Sequence, residues 1–195
     1  MAGASAGEIG PNAILQMLPA IEDLAGDEAL ARIRAGAGLV AVPDGHHMIP
    51  EVEAARLHAQ LRRQTGDDAP RIAAEAGRRT ADYILAHRIP APAQAVLRAL
   101  PAALAAPLLS RAIAQHAWTF AGSGAFHRRG AWVFEITDNP LIRGERADRP
   151  LCAWHAAVFE RLYRVLVAPD ARCTETRCAA QGQGACCSFS LTRGG

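Results

Sequence analysis

The chain has 195 residues, half of them hydrophobic, which is enough for a full core without cross-links. Its formal net charge is only +2, so the strongly basic balance expected of a nucleic-acid binder is missing. The composition reads as a cytoplasmic protein: no apolar run reaches the roughly 20 residues of a membrane span, and no basic-then-apolar leader opens the chain.

Residues 1–10 are small and polar and read as a flexible N-terminal arm. Residues 11–121 read as a helical region. Ile14, Leu15, Leu18, Ile21 and Leu24 recur at helical spacing, and a second helix covers Asp27 to Ala35. Gly36 to Pro50 reads as irregular. Pro50 suits the start of a third helix, whose buried stripe is Val52, Ala55, Leu57 and Leu61. Another begins near Pro70 and stops before Pro90. The stretch from Ala93 to Phe120 is helical and is expected to split near Pro101 and Pro107.

From residue 122 the pattern changes. Ala125–Arg128 and Ala131–Thr137 alternate as strands, Leu151–Val167 is a strong amphipathic helix, and Arg172–Cys178 and Ala185–Thr192 form a hairpin around a Gly-rich loop. The fold class is therefore α+β. N-terminal helices precede a β-β-α-β-β unit over 122–195 with a four-stranded antiparallel sheet, and the unit packs with 11–121 as one domain.

Five cysteines in a reducing compartment suggest thiols or metal ligands. A hairpin paired in register around residues 179–185 sets Cys178 opposite Cys186, close enough for two thiolates to share one zinc. Cys187 then points the other way, beside Phe189 and Leu191, as a core residue. Cys173 has the wrong parity as well. Cys152 opens the 151–167 helix, where the positive helix end favours a thiolate. His155 shares its face, and Glu135 is the alternative oxygen donor. The expected metal ligands are thus Cys152, Cys178 and Cys186, with His155 or Glu135 as the fourth.

These residues carry a family resemblance. Cys152, Cys178, Cys186 and Phe189 resemble the cysteine pattern of the 4-vinyl reductase domain, and the chain resembles the bacteriochlorophyll 4-vinyl reductase family over nearly its whole length. Further matching segments are Ile9–Ile14, Thr80–Leu85 with Arg88–Pro90, Asp138–Leu141, Cys152–His155 and Phe159–Leu162. Relatives of this domain also serve as sensor modules of aromatic-responsive activators, in which the three-cysteine pattern binds zinc beside a pocket for a phenol-like ligand. The resemblance implies a structural zinc here and a possible homodimer.

It also implies reduction of a chlorophyllide vinyl group. The sequence offers no GxGxxG between strand and helix, no iron–sulfur cysteine run and no flavin mark, so no nicotinamide or flavin site is visible. An apolar pocket near Trp118, Phe120, Phe126, Trp132, Phe134 and Trp154 would suit a flat tetrapyrrole. His116, His127 or His155 could face the pigment magnesium, and Arg128, Arg129, Arg143, Arg146 and Arg149 could meet propionates. The expected function is a carrier or accessory factor that binds a Mg-porphyrin or chlorophyllide in bacteriochlorophyll biosynthesis, working with enzymes of the magnesium-porphyrin steps. The alternatives are a divinyl chlorophyllide reductase using an external reductant, and a zinc-stabilised small-molecule sensor.

Overall fold

A computed structural model describes residues 7–182 and 184–194. Of the arm expected over 1–10, residues 1–6 lie outside the described residues. Residues 7–10 are packed. Strand β1 (Glu8–Ile9) pairs antiparallel with β2 (Ile49–Pro50), and Ile9 is wholly buried. One apolar side chain in a polar segment suffices to fix it.

The helical layer follows between and after these strands. Helices α1 (Asn12–Leu15), α2 (Met17–Ala25) and α3 (Asp27–Ala37) precede β2. Asp27 and Glu28 in the first turn of α3 suit the positive end of its dipole. Gly38 ends it with φ of 63°, a left-handed conformation that glycine adopts without a Cβ penalty. Next come α4 (Glu51–Thr65), α5 (Ala69–His87), α6 (Ala91–Ala99), α7 (Ala102–Gln115) and the short α8 (Trp118–Ala121). Pro101 separates α6 from α7 as expected. Pro107 does not split α7. The carbonyl that loses its partner there belongs to Ala103, which is exposed to water.

The sheet comprises β3 (Ala125–Arg128), β4 (Val133–Thr137), β5 (Arg172–Arg177) and β6 (Cys186–Thr192), all antiparallel in the order β3-β4-β6-β5. Helix α9 (Ala153–Leu166) crosses one face of this sheet. It buries Trp154, Val158, Phe159, Leu162 and Leu166, the inner stripe of its sequence. The predicted helices-then-β-β-α-β-β order is the observed one.

Helix α5 packs most closely on α9. At Gly77 a Cβ would overlap the Trp154 carbonyl oxygen and lie 2.9 Å from the Ala157 Cβ. The missing side chain lets the two backbones approach. This contact joins the helical layer to the sheet layer, and Trp154 reinforces it by donating its indole N–H to Thr80 Oγ1 at 3.2 Å.

Candidate functional site

The register of the β5–β6 hairpin decides which cysteines meet. Cys173 pairs with Leu191, Thr174 with Ser190 and Glu175 with Phe189, but Arg177 pairs with Ser188. A bulge at Thr176 adds one residue to β5. Without it, the ladder would set Cys178 opposite Cys186. With it, Cys178 comes opposite Cys187. A one-residue bulge shifts every later partner by one and reverses the face it presents.

The consequence is a group of Cys152, Glu175, Cys178 and Cys187, whose ligand atoms all lie within 4.8 Å of one another. Cys152 caps the N-terminus of α9, and its Sγ is 3.4 Å from the Cys187 Sγ. All three cysteines are buried. The sulfur spacing suits a tetrahedral ion with metal–sulfur bonds near 2.3 Å, which separates sulfurs by about 3.8 Å.

Glu175 completes the group from the middle of β5. Its Oε2 accepts the Cys152 backbone N–H at 2.7 Å, while its Oε1 is buried with no hydrogen-bond partner. Buried polar atoms are rarely left unpaired. An oxygen stranded beside three sulfurs is placed as a ligand, so this Cys3Glu group could hold a metal ion. Asn139 supports the group from outside. Buried at the end of β4, it donates Nδ2–H to Cys152 Sγ at 3.4 Å while its Oδ1 accepts the Leu141 N–H at 3.1 Å.

The protonation pattern follows from this crowding. Hydrogen bonds from Cys152 and Cys187 pull the Cys178 thiol far down. Cys152, which donates to Cys178 and contacts Cys187 in a dry site, is pushed well up. For Cys187 the bond from Cys152 lowers the value, but its bond to Cys178 and burial raise it to about 12. Burial and the neighbouring Cys178 lift Glu175 to about 8. The metal-free site therefore favours a single thiolate on Cys178, whereas a bound dication would deprotonate the remaining thiols.

Three expected ligands lie elsewhere. Cys186 pairs with Thr137 on the opposite face of the sheet, with its sulfur near Arg177 and Ser188. Glu135 shares that outer face and is held by Arg129 at 2.6 Å. His155 is buried, but its Nε2 donates to the Phe120 carbonyl at 3.2 Å. Burial lowers its basicity to about 4, so it is a neutral core imidazole. Sequence reasoning misses two ligand-type residues, Glu175 and Cys187. A signal for them exists: Cys152 approaches from the helix face, so its partners must point inward, as Cys187 does with Phe189 and Leu191.

The expected pigment aromatics are divided. Phe120, Phe126, Phe134 and Trp132 interlock with Phe159, Phe189 and Tyr163, with ring centroids 5.1–6.1 Å apart among neighbours. Trp154 sits apart, between the buried rings of His58 and His155. Trp118 is 56% exposed. His116 is exposed and bonded to the Ala112 carbonyl, and His127 faces Thr137 on the outer sheet. Of the five arginines, Arg129, Arg143 and Arg149 are engaged by carboxylates. Near α4 and the 149–153 segment there is a small cavity of about 50 Å³, lined partly by His58, Arg62 and Leu151. That volume holds a water or two.

Fold and site together define a protein of the 4-vinyl reductase domain class, and the family model of that domain matches residues 132–192. Among curated proteins, the bacteriochlorophyll synthase 23 kDa chain of Cereibacter sphaeroides is 49% identical over 193 residues, covering 98% of this chain and 94% of that one. The protein of the same name from Rhodobacter capsulatus is 44% identical over 180 residues, covering 91% and 84%. The chain belongs to the family of the bacteriochlorophyll synthase 23 kDa chain.

Solved structures extend the fold comparison. A mutant Fe(II) unliganded H-NOX protein from K. algicida matches with a TM-score of 0.62 at 11% identity, covering 96% of this chain and 97% of that one. A mutant of T. tengcongensis H-NOX matches with a TM-score of 0.57 at 10% identity, covering 96% and 98%. The similarity therefore spans both the helical and the sheet layers, and at these identities it concerns the fold. Membership in this family places the chain in bacteriochlorophyll biosynthesis. Among the described residues no helix is long and apolar enough to cross a membrane.

Proposed function

We propose that this protein binds a tetrapyrrole, a Mg-porphyrin or chlorophyllide, and acts as a carrier or accessory factor in bacteriochlorophyll biosynthesis. The observation that carries this reading is the full-length similarity to proteins named as a chain of bacteriochlorophyll synthase. The shared fold adds support, since neighbours with that fold have been studied for heme and porphyrin distortion.

The interior supports a conditional mode of binding. The aromatic cluster is closed, and the enclosed cavity near His58 is far too small for a porphyrin. A pigment therefore needs a layer to move. Helix α6 is the lightest cover: it buries only Gln94 of its nine residues. It packs on α7 and α9, and α7 packs in turn on β3, the strand that carries Phe126. Displacing this pair opens a route to Phe120 and Phe126.

The metal reading is zinc, held by Cys152, Cys178, Cys187 and Glu175. Three thiolates and one carboxylate suit a tetrahedral zinc better than a hard cation. Four protein ligands make a closed site whose role is structural, tying the start of α9 to the hairpin. A zinc-stabilised sensor is the second reading, favoured by that same site. A vinyl reductase with an external reductant is the third.

The test is a titration of purified protein with divinyl chlorophyllide, with and without reduced nicotinamide, followed by absorbance. Saturable binding without reduction supports the carrier. Turnover by the protein alone supports a reductase. Failure to bind any pathway tetrapyrrole removes the proposal and leaves the sensor.

A further inference from the structure

Acidic residues are absent from one long stretch of this chain. Between Asp82 and Glu135 there is no Asp or Glu in 52 residues, where the chain average predicts about five. The same stretch carries five arginines. The rest of the chain therefore holds all 19 carboxylates against only 16 of the 21 cations, and is net acidic. The molecule is polarised, and helices α6 and α7 lie in its basic part.

The surface of those helices is also apolar. Of the sixteen exposed residues between 91 and 118, twelve are apolar, and the others are Arg98, Arg111, Gln115 and His116. Val96, Leu104, Leu108 and Trp118 are 46–57% exposed. On α7, Leu104, Leu108, Arg111 and Gln115 form one stripe at helical spacing, opposite the buried Ala106, Leu109 and Ile113. Scattered apolar residues on a surface are ordinary, but a two-helix face of this composition is not. Among the described residues neither Arg98 nor Arg111 has a carboxylate partner. Arg98 bonds only to Gln94 Oε1, at 2.6 Å.

We propose that the outer face of α6 and α7, with Trp118 at its edge, docks on an anionic lipid bilayer. Exposed Leu and Val would enter the headgroup boundary, Trp118 would sit at the interface, and the two arginines would meet lipid phosphates. The charge pattern selects this occupant. A second copy of the face would bring unmatched arginines against unmatched arginines, so self-association is disfavoured. The net acidic remainder would turn away from the membrane and orient the protein. This inference stands independently of pigment binding.

The experiment is flotation of the full chain with vesicles. Vesicles of equal phosphatidylglycerol and phosphatidylcholine should carry the protein, pure phosphatidylcholine much less, and about 0.5 M sodium chloride should weaken the binding. Leu104→Glu with Leu108→Glu should lower affinity by roughly tenfold or more, with no change in circular dichroism, because both side chains are already exposed. Val40→Glu, at a 94% exposed position in the 39–48 segment, should bind like the parent. Brominated lipid should quench Trp118 fluorescence. No flotation with anionic vesicles, or flotation unchanged in the double variant, would overturn the proposal. So would a solution dimer that the double variant dissolves, since the face would then belong to a second copy.

Discussion

Cys187 and Cys186 are neighbours in sequence but lie on opposite faces of one strand. That separation makes the metal proposal testable residue by residue. Cys187→Ser and Glu175→Gln should each lower zinc content from near one per chain by at least half, measured by elemental analysis, while Cys186→Ser should leave it unchanged. Loss of the metal should destabilise folding by roughly 3 kcal/mol, or about 10 °C in Tm for a chain of this size. Asn139→Ala removes the donor to Cys152 Sγ, and its effect on zinc affinity should be about tenfold or more. The three-thiolate idea and two of its members, Cys152 and Cys178, are legible from the residue types and the helix start. Cys187 and Glu175 are not, because strand parity assumes an unbroken hairpin. The extra residue at Thr176 leaves no mark in hydrophobic pattern, since Thr174 and Thr176 are both exposed and polar.

The two buried histidines set an acid limit at the same scale. Burial lowers His58 to about 3 and His155 to about 4. Both stay neutral in the folded protein, whereas the unfolded chain takes up protons near the ordinary value of 6.5. Their contribution to stability is therefore complete above pH 6.5 and is lost as pH falls toward 4, at about 1.4 kcal/mol per pH unit for each histidine. Chemical denaturation between pH 7 and 4.5 should show this slope. His155→Gln should reduce it by about one proton, and an unchanged slope would remove the assignment.

Among the elements, the contact of α5 with α9 holds the two layers in place. Gly77→Ala puts a methyl group against the Trp154 carbonyl and should cost about 1–3 kcal/mol, read as a lower urea midpoint. Because α9 starts at Cys152, the same change should also loosen the metal site. Helix and strand positions follow from periodicity almost throughout, as Leu151–Val167 against the observed Ala153–Leu166 illustrates. The pairing of β1 with β2 does not. Two-residue strands carry no period, and only the buried Ile9 anchors them. The internal Pro107 is likewise unreadable, since its cost depends on whether water reaches the carbonyl it leaves unpaired.

At the scale of the whole molecule, the chain shares its architecture with H-NOX proteins and its sequence with bacteriochlorophyll synthase 23 kDa chains. The pigment aromatics can be named from the sequence, but their packing into a closed cluster cannot, because ring composition is the same for a filled core and for an open pocket. Pigment binding should then require motion of the α6–α7 pair. A cross-link between those helices and α9 should slow pigment uptake by about tenfold or more without lowering Tm.

The central claim is tetrapyrrole binding without reduction, and one measurement tests it most directly: the absorbance spectrum of divinyl chlorophyllide titrated with the purified, zinc-loaded protein in the presence of reduced nicotinamide. The account predicts a saturable shift at one pigment per chain, with the vinyl absorption retained. Conversion to the monovinyl spectrum, or no shift with any pathway tetrapyrrole, would contradict it.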